Sequence, residues 1–186
     1  MTSSALLVMD VQNAVVHRYP DPDYLPRLRT AIEAARVAAV PVIYVVVGFR
    51  PGFPEVSPRN KMFGPMAGRT AAGDDRATEV HAEVTPGPAD LIVTKRRVSA
   101  FAGSDLELLL RSRQIDHLIL TGIATSGVVL STLRQAADLD YRLTVLSDAC
   151  LDDDPEVHRV LTEKVFPTQA DVKTTKEWAA APLPER

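Results

Sequence analysis

HLILTGIATSGVVLSTL, residues 117–133, is the stretch where this chain turns from a strand into a helix. His117 to Thr121 form a short apolar run suited to a strand covered on both faces. Gly122 to Gly127 consist almost entirely of small residues, so a substrate can come close to the backbone there. The first amides of the helix that follows have no partner within the helix. Ser126, Gly127 and Val128 therefore stand where an anion or a developing oxyanion is stabilised. Taken alone, the stretch also fits an ordinary strand–helix connection, and the rest of the chain has to decide between the two.

Working outward, Ala5 to Met9 is a continuous apolar run closed by Asp10, a strand that delivers a carboxylate at its C-terminal end. Ligands of open α/β sheets bind outside the carboxyl ends of the strands, which makes Asp10 a candidate for chemistry. The alternative is a turn cap with Gln12 or Asn13. Leu25, Leu28, Ile32, Ala35 and Ala39 fall at helical spacing, and Val40 to Val47 form a second buried strand with Pro41 near its start. Asp90 to Thr94 make a third strand ending at Lys95. If the first and third strands are neighbours in one parallel sheet, Asp10 and Lys95 project from the same edge within ion-pair reach.

A helix begins at Ser104, with Ser104 as its N-cap and Leu106, Leu109 and Leu110 facing the core. The helix after the opening stretch runs through Leu139 and buries Val129, Leu133 and Ala136. Leu143 to Leu146 form a fifth strand. Asp152-Asp153-Asp154-Pro155 open an acidic-ended helix whose inner face is Val157, Val160, Leu161 and Val165. Ala170 to Val172 add a short sixth strand, and the Pro-rich end after Trp178 reads as loose. No repeat or linker interrupts the pattern, so residues 1–186 read as a single α/β domain.

Between Gly48 and Asp75 no period is sustained, and Gly and Pro abound. A loop of this length inside a compact domain is usually functional, and Phe49, Phe53, Met62, Phe63 and Met66 argue against disorder. It reads as a lid or subunit contact that carries Arg50, Arg59 and Lys61 towards the site. Arg50 and Arg59 are candidate substrate anchors, because a guanidinium grips a carboxylate through two parallel hydrogen bonds.

A net charge of −3 gives no basic footprint for nucleic acid, and no apolar run is long enough to span a membrane. A small-molecule substrate or a protein is the expected partner. MTSSALLVMDVQ lacks a basic leader, which points to the cytoplasm. Cys150 is alone, and His17, His81, His117 and His158 are scattered, so neither an internal disulfide nor a metal site is expected. The triple Asp fits an acidic helix start better than a metal loop.

Val8-Met9-Asp10-Val11-Gln12-Asn13, Lys95-Arg96-Arg97-Val98-Ser99-Ala100-Phe101 and Thr121-Gly122-Ile123-Ala124-Thr125 together resemble the isochorismatase-like hydrolases, the superfamily that includes nicotinamidases. The resemblance covers nearly the whole chain, including the Phe166-Pro167 stop before Ala170-Asp171-Val172. It implies a three-layer αβα sandwich around a six-stranded parallel sheet. It also implies a catalytic aspartate and lysine at Asp10 and Lys95, and a cis peptide at Ile123–Ala124 beside an oxyanion turn formed by Ile123, Ala124, Thr125 and Val128. Gln12 and Phe101 join Arg50 and Arg59 as substrate-binding candidates. No cofactor is implied, and family members often form homo-oligomers.

In the amidase members a cysteine nucleophile belongs at the position of Val128, and valine has none. Cys150 lies after the next strand and would need a rearranged site. Two readings follow. The first is a hydrolase of a small anionic molecule that uses Asp10 and Lys95 in acid catalysis, as for a vinyl ether, and requires Asp10 to be protonated when substrate is bound. The second is a non-catalytic member that binds a small molecule or serves in an assembly.

Overall fold

The structure is a computed structural model, described here for residues 3–67 and 75–180. The apolar runs become a six-stranded, all-parallel sheet: β1 (Ser3–Met9), β2 (Val42–Val47), β3 (Leu91–Lys95), β4 (Ile115–Ile123), β5 (Arg142–Leu151) and β6 (Asp171–Lys173), in the order β3-β2-β1-β4-β5-β6. This is the doubly wound order, whose crevice opens where the sequence order reverses, beside β1. Val8, Leu7, Leu6 and Ala5 are all buried to within 1%. Their unbroken hydrophobicity follows from having both faces of the central strand covered.

Seven helices are present among the described residues: α1 (Asn13–Val16), α2 (Tyr24–Val37), α3 (Asp75–Thr78), α4 (Leu106–Ser112), α5 (Leu130–Asp138), α6 (Pro155–Val160) and α7 (Thr175–Ala180). One side of the sheet packs Leu7, Met9, Val93, Leu106, Leu110, Val129 and Leu133 into a core. The other packs Leu6, Val8, Tyr24, Leu28, Ile32 and Trp178. Val129, Leu133 and Ala136 are fully buried, as their spacing requires.

Several sequence expectations are corrected. β1 and β3 are not neighbours, because β2 runs between them. Cys150 lies within β5, opposite Gly122, and not beyond that strand. The helix at 104 starts one residue later, with Asp105 at the N-cap position but making no side-chain cap bond, while the Ser104 hydroxyl accepts from the Leu106 amide at 3.3 Å. Val157 and Val160 are 37% and 36% exposed, whereas Thr162 and Phe166, in the π and 3-10 turns that follow α6, are buried. Ala39 is exposed beyond the end of α2, where the inner face is Tyr24, Leu28, Ala31, Ile32 and Ala35. Trp178, just before the Pro-rich end, is buried within α7 (Thr175–Ala180). Residues 68–74 of the long loop and the Pro-rich end at 181–186 lie outside the described residues.

Candidate active site

Asp10 follows the last residue of β1 with φ 56°, and its amide donates to Val45 O at 2.8 Å. That backbone bends the carboxylate out of the strand's alternation at the carboxyl edge of the sheet. Lys95 ends β3, two strand spacings or about 10 Å away. Its long side chain crosses the end of β2 and brings Nζ to 2.9 Å from Asp10 Oδ2. Nζ also donates to Arg97 O at 3.0 Å. Lys95 is 2% exposed and Asp10 is 8% exposed.

The second carboxylate oxygen of Asp10, Oδ1, is buried and accepts no hydrogen bond. Burial pushes the Asp10 carboxyl up to about 6, against the downward pull of Lys95. An acid with one oxygen pinned and the other bare can hold or release a proton at that bare atom near neutral pH.

The turn from β4 to α5 is built on Gly122. Its φ is +133°, and a Cβ there would come within 2.2 Å of Met9 O. Only glycine lets the end of β4 press this closely against the strand that carries Asp10. The peptide between Ile123 and Ala124 is cis. Residues Thr125–Val129 form a π turn interrupted by non-helical Gly127 (φ −96°, ψ −105°), and regular helix starts at Leu130.

The amides expected to point outward are partly spoken for. Ser126 N donates to Asp152 Oδ2 at 2.6 Å, and Gly127 N donates to Ala124 O at 3.1 Å. The oxyanion role expected of those two amides is therefore corrected, because a side chain from beyond β5 and the turn's own carbonyl occupy them. Thr125 is completely buried and shares a 2.8 Å hydrogen bond with His158 Nδ1. Val128 is 2% exposed and belongs to the same apolar cluster as Met9, Phe101 and Cys150.

Gln12 is not free to meet a substrate. Its Oε1 accepts from Val47 N at 2.9 Å, and its Nε2 donates to Val47 O at 3.1 Å and to Thr78 O at 2.7 Å. Both amide protons are committed, so Gln12 staples the end of β2 to the segment around α3. Phe101 is 8% exposed and packs 5.9 Å from the Tyr141 ring, as part of the core wall. Thr132 on α5 holds the preceding residue, accepting from Ala100 N at 2.9 Å.

Glu55 organises the long loop. Its Oε1 takes Arg50 N at 3.1 Å, Arg50 Nη1 at 3.4 Å and Arg96 Nε at 3.2 Å, while its carbonyl takes Arg97 Nη2 at 2.6 Å. Its own amide, that of Arg50 and the two guanidiniums hold the Glu55 carboxyl below its ordinary range. Arg50 is thus tied to Glu55, with its side chain 66% exposed. Arg59 is exposed and its backbone amide donates to Ser57 Oγ at 3.3 Å. Neither arginine touches Asp10 or Lys95.

Glu55, Asp152 and His158 escape a reading by motif. Asp152 had a usable signal, since it closes β5 as Asp10 closes β1. Among the described residues no group of three or more His, Cys, Asp or Glu side chains could hold a metal ion, and no helix is long and apolar enough to cross a membrane.

A doubly wound parallel sheet with a buried Asp–Lys pair beside a cis-peptide turn defines the class, and the comparisons supply the family. Residues 4–177 match the Isochorismatase domain, and the chain belongs to the isochorismatase family. It is 34% identical over 172 residues to the ureidoacrylate amidohydrolase RutB of Variovorax paradoxus (strain S110), covering 80% of this chain and 68% of that protein. An isochorismatase family protein from Burkholderia thailandensis superposes with a TM-score of 0.86 at 28% identity, over 96% of this chain and 94% of the other. The N-carbamoylsarcosine amidase of Thermoplasma acidophilum superposes at 0.75 with 29% identity, over 94% and 97%. The chain is a hydrolase of this family.

Proposed function

We propose that this hydrolase works from Asp10 and Lys95, without a cysteine nucleophile, on a small anionic substrate by acid-catalysed hydrolysis of the vinyl-ether kind. The observation that carries the proposal is the bare, buried Oδ1 of Asp10 on a carboxyl raised to about 6. Val128 offers no reactive atom. Cys150 is 2% exposed, its Sγ lies 3.9 Å from Leu120 O, and burial pushes its thiol well above the ordinary range, which suits a packed core thiol rather than a thiolate.

In this reading Asp10 Oδ1 delivers a proton to the enol-ether carbon, leaving a positive charge shared by the neighbouring carbon and the ether oxygen. Water adds to that carbon and returns a proton to the Asp10 carboxylate. The hemiketal then expels the alcohol and leaves a ketone. Lys95 holds Asp10 in place and supplies a positive charge for a substrate carboxylate. Arg59 is available to a second carboxylate, and Arg50 becomes available by exchanging Glu55.

The relatives named as amidohydrolases favour a second reading. Here Asp10 is the base that activates water against a ureido or carbamoyl carbon. The two readings demand opposite protonation states of one group.

Both are tested by measuring turnover of carboxylated enol ethers and of N-carbamoyl amides between pH 4 and 9. Acid catalysis is present below about pH 6 and falls about tenfold per unit above it, whereas base catalysis rises through the same window. Asp10→Asn lowers either activity by about 10² to 10⁴. Turnover that survives in that variant removes Asp10 from the reaction.

A further inference from the structure

A cavity of about 430 Å³ opens between the segment after α1 and the start of α6, walled by Arg18, Tyr19, Leu151, Asp152, Asp153 and His158 among others. That volume lies within the range of small-molecule sites, ~300–1,000 Å³. Tyr19 and Leu151 pack against the Leu6–Val8–Tyr24 core, whereas Val128 and Phe101 belong to the core on the other side of the sheet. The cavity therefore lies behind the turn, away from Val128.

Most polar groups of its wall are already partnered. Asp21 is paired with Arg27 at 2.6 Å. Asp152 accepts from Ser126 N through one oxygen, at 2.6 Å, and from Asp153 N through the other, at 3.1 Å. His158 is bonded to the Thr125 hydroxyl. Of the described charged side chains that line this cavity, two remain without a hydrogen bond or ion pair, the guanidinium of Arg18 and the carboxylate of Asp153. Both act on the Tyr19 phenol: burial raises it most, Arg18 pulls it down, and Asp153 and Asp152 push it up.

One free cation and one free anion beside an aromatic and aliphatic wall select a ligand with the same three parts reversed. We propose that this cavity binds a zwitterion of amino-acid size, its carboxylate on Arg18, its ammonium on Asp153, and its apolar body against Tyr19 and Leu151. Two residues of the same wall hold consecutive residues of the active-site turn, Asp152 through Ser126 and His158 through Thr125. Occupancy is therefore felt at residues 125 and 126. The proposal is independent of the reaction assigned to Asp10.

The test is calorimetric titration with glycine, L-leucine and L-phenylalanine at pH 7. Half-ligands follow that keep the body of leucine and one charge, isopentylamine and 4-methylpentanoate. At least one zwitterion binds at least tenfold more tightly than either half-ligand. Arg18→Ala and Asp153→Asn each weaken it at least tenfold, and the Thr125 and Ser126 amide signals shift on binding. Asp10→Asn binds it unchanged, which separates this site from the catalytic one. The proposal is overturned if no zwitterion outbinds the half-ligands or if binding survives both wall variants. Loss of binding in Asp10→Asn also overturns it, by placing the zwitterion in the catalytic site.

Discussion

The turn at 122–129 and the loop at 48–67 both adjoin the Asp10–Lys95 pair, yet they are held by different forces. The turn is buried and close-packed, pinned by the Gly122 contact with Met9, by Thr125 to His158 and by Ser126 to Asp152. The loop is a mixture of exposed and part-buried residues, with Phe49 lying 5.9 Å from Phe53 and 5.3 Å from Phe63, and its tie to the sheet runs through Glu55 to Arg96 and Arg97. Close packing resists any displacement, whereas partly solvated ion pairs yield to salt and to substitution. The turn is thus held chiefly by packing, and the loop by ion pairs at the edge of the sheet.

The contrast breaks most severely at Gly122→Ala. A methyl group forced to within 2.2 Å of Met9 O at a φ of +133° leaves the turn no room. We expect a loss of about 4 kcal/mol, on the order of 10 °C in Tm. A fall of under 2 °C would show that the turn yields as readily as the loop.

Asp152→Ala removes the acceptor of the Ser126 amide. Burial raises the Asp152 carboxyl, but hydrogen bonds from Ser126 and Asp153 outweigh it and hold the group below its ordinary range. Discounted for its partial exposure, the loss is about 1 kcal/mol. Hydrogen exchange at Ser126 should accelerate while the centre of β4 stays protected. Exchange that is unchanged would mean the turn is held by packing alone.

Glu55→Gln is the mildest case. It should leave Tm almost unmoved while speeding tryptic cleavage at Arg59 and Lys61, and 1 M salt should reproduce the effect in the unaltered protein. Equal cleavage rates would move the loop into the same rigid class as the turn.

Much of this was legible in the chain. Apolar runs closed by Asp10 and by Lys95 marked two strand ends, and the small residues after Thr121 marked the turn, because strand length and turn chemistry are local properties. Phe101 and Gln12 show where locality ends. Both sit in motifs that promise substrate contact, yet one packs on Tyr141 and the other spends its amide on Val47 and Thr78, partners between 35 and 66 residues away in sequence. The inner face of α6 was misjudged for a related reason, since helical spacing marks Val157 and Val160 as apolar but does not show whether anything packs against them.

By itself, then, the sequence determined the α/β class, the two charged strand ends and the turn of small residues between Gly122 and Gly127. The tertiary structure decided that β2 separates β1 from β3, so that Lys95 must reach across it, and that burial outweighs Lys95 in raising the Asp10 carboxyl. It also decided that the amide of Ser126 belongs to Asp152. Periodicity tells which face a side chain takes, but solvation and partnership depend on what stands opposite, and only the folded chain brings that into place.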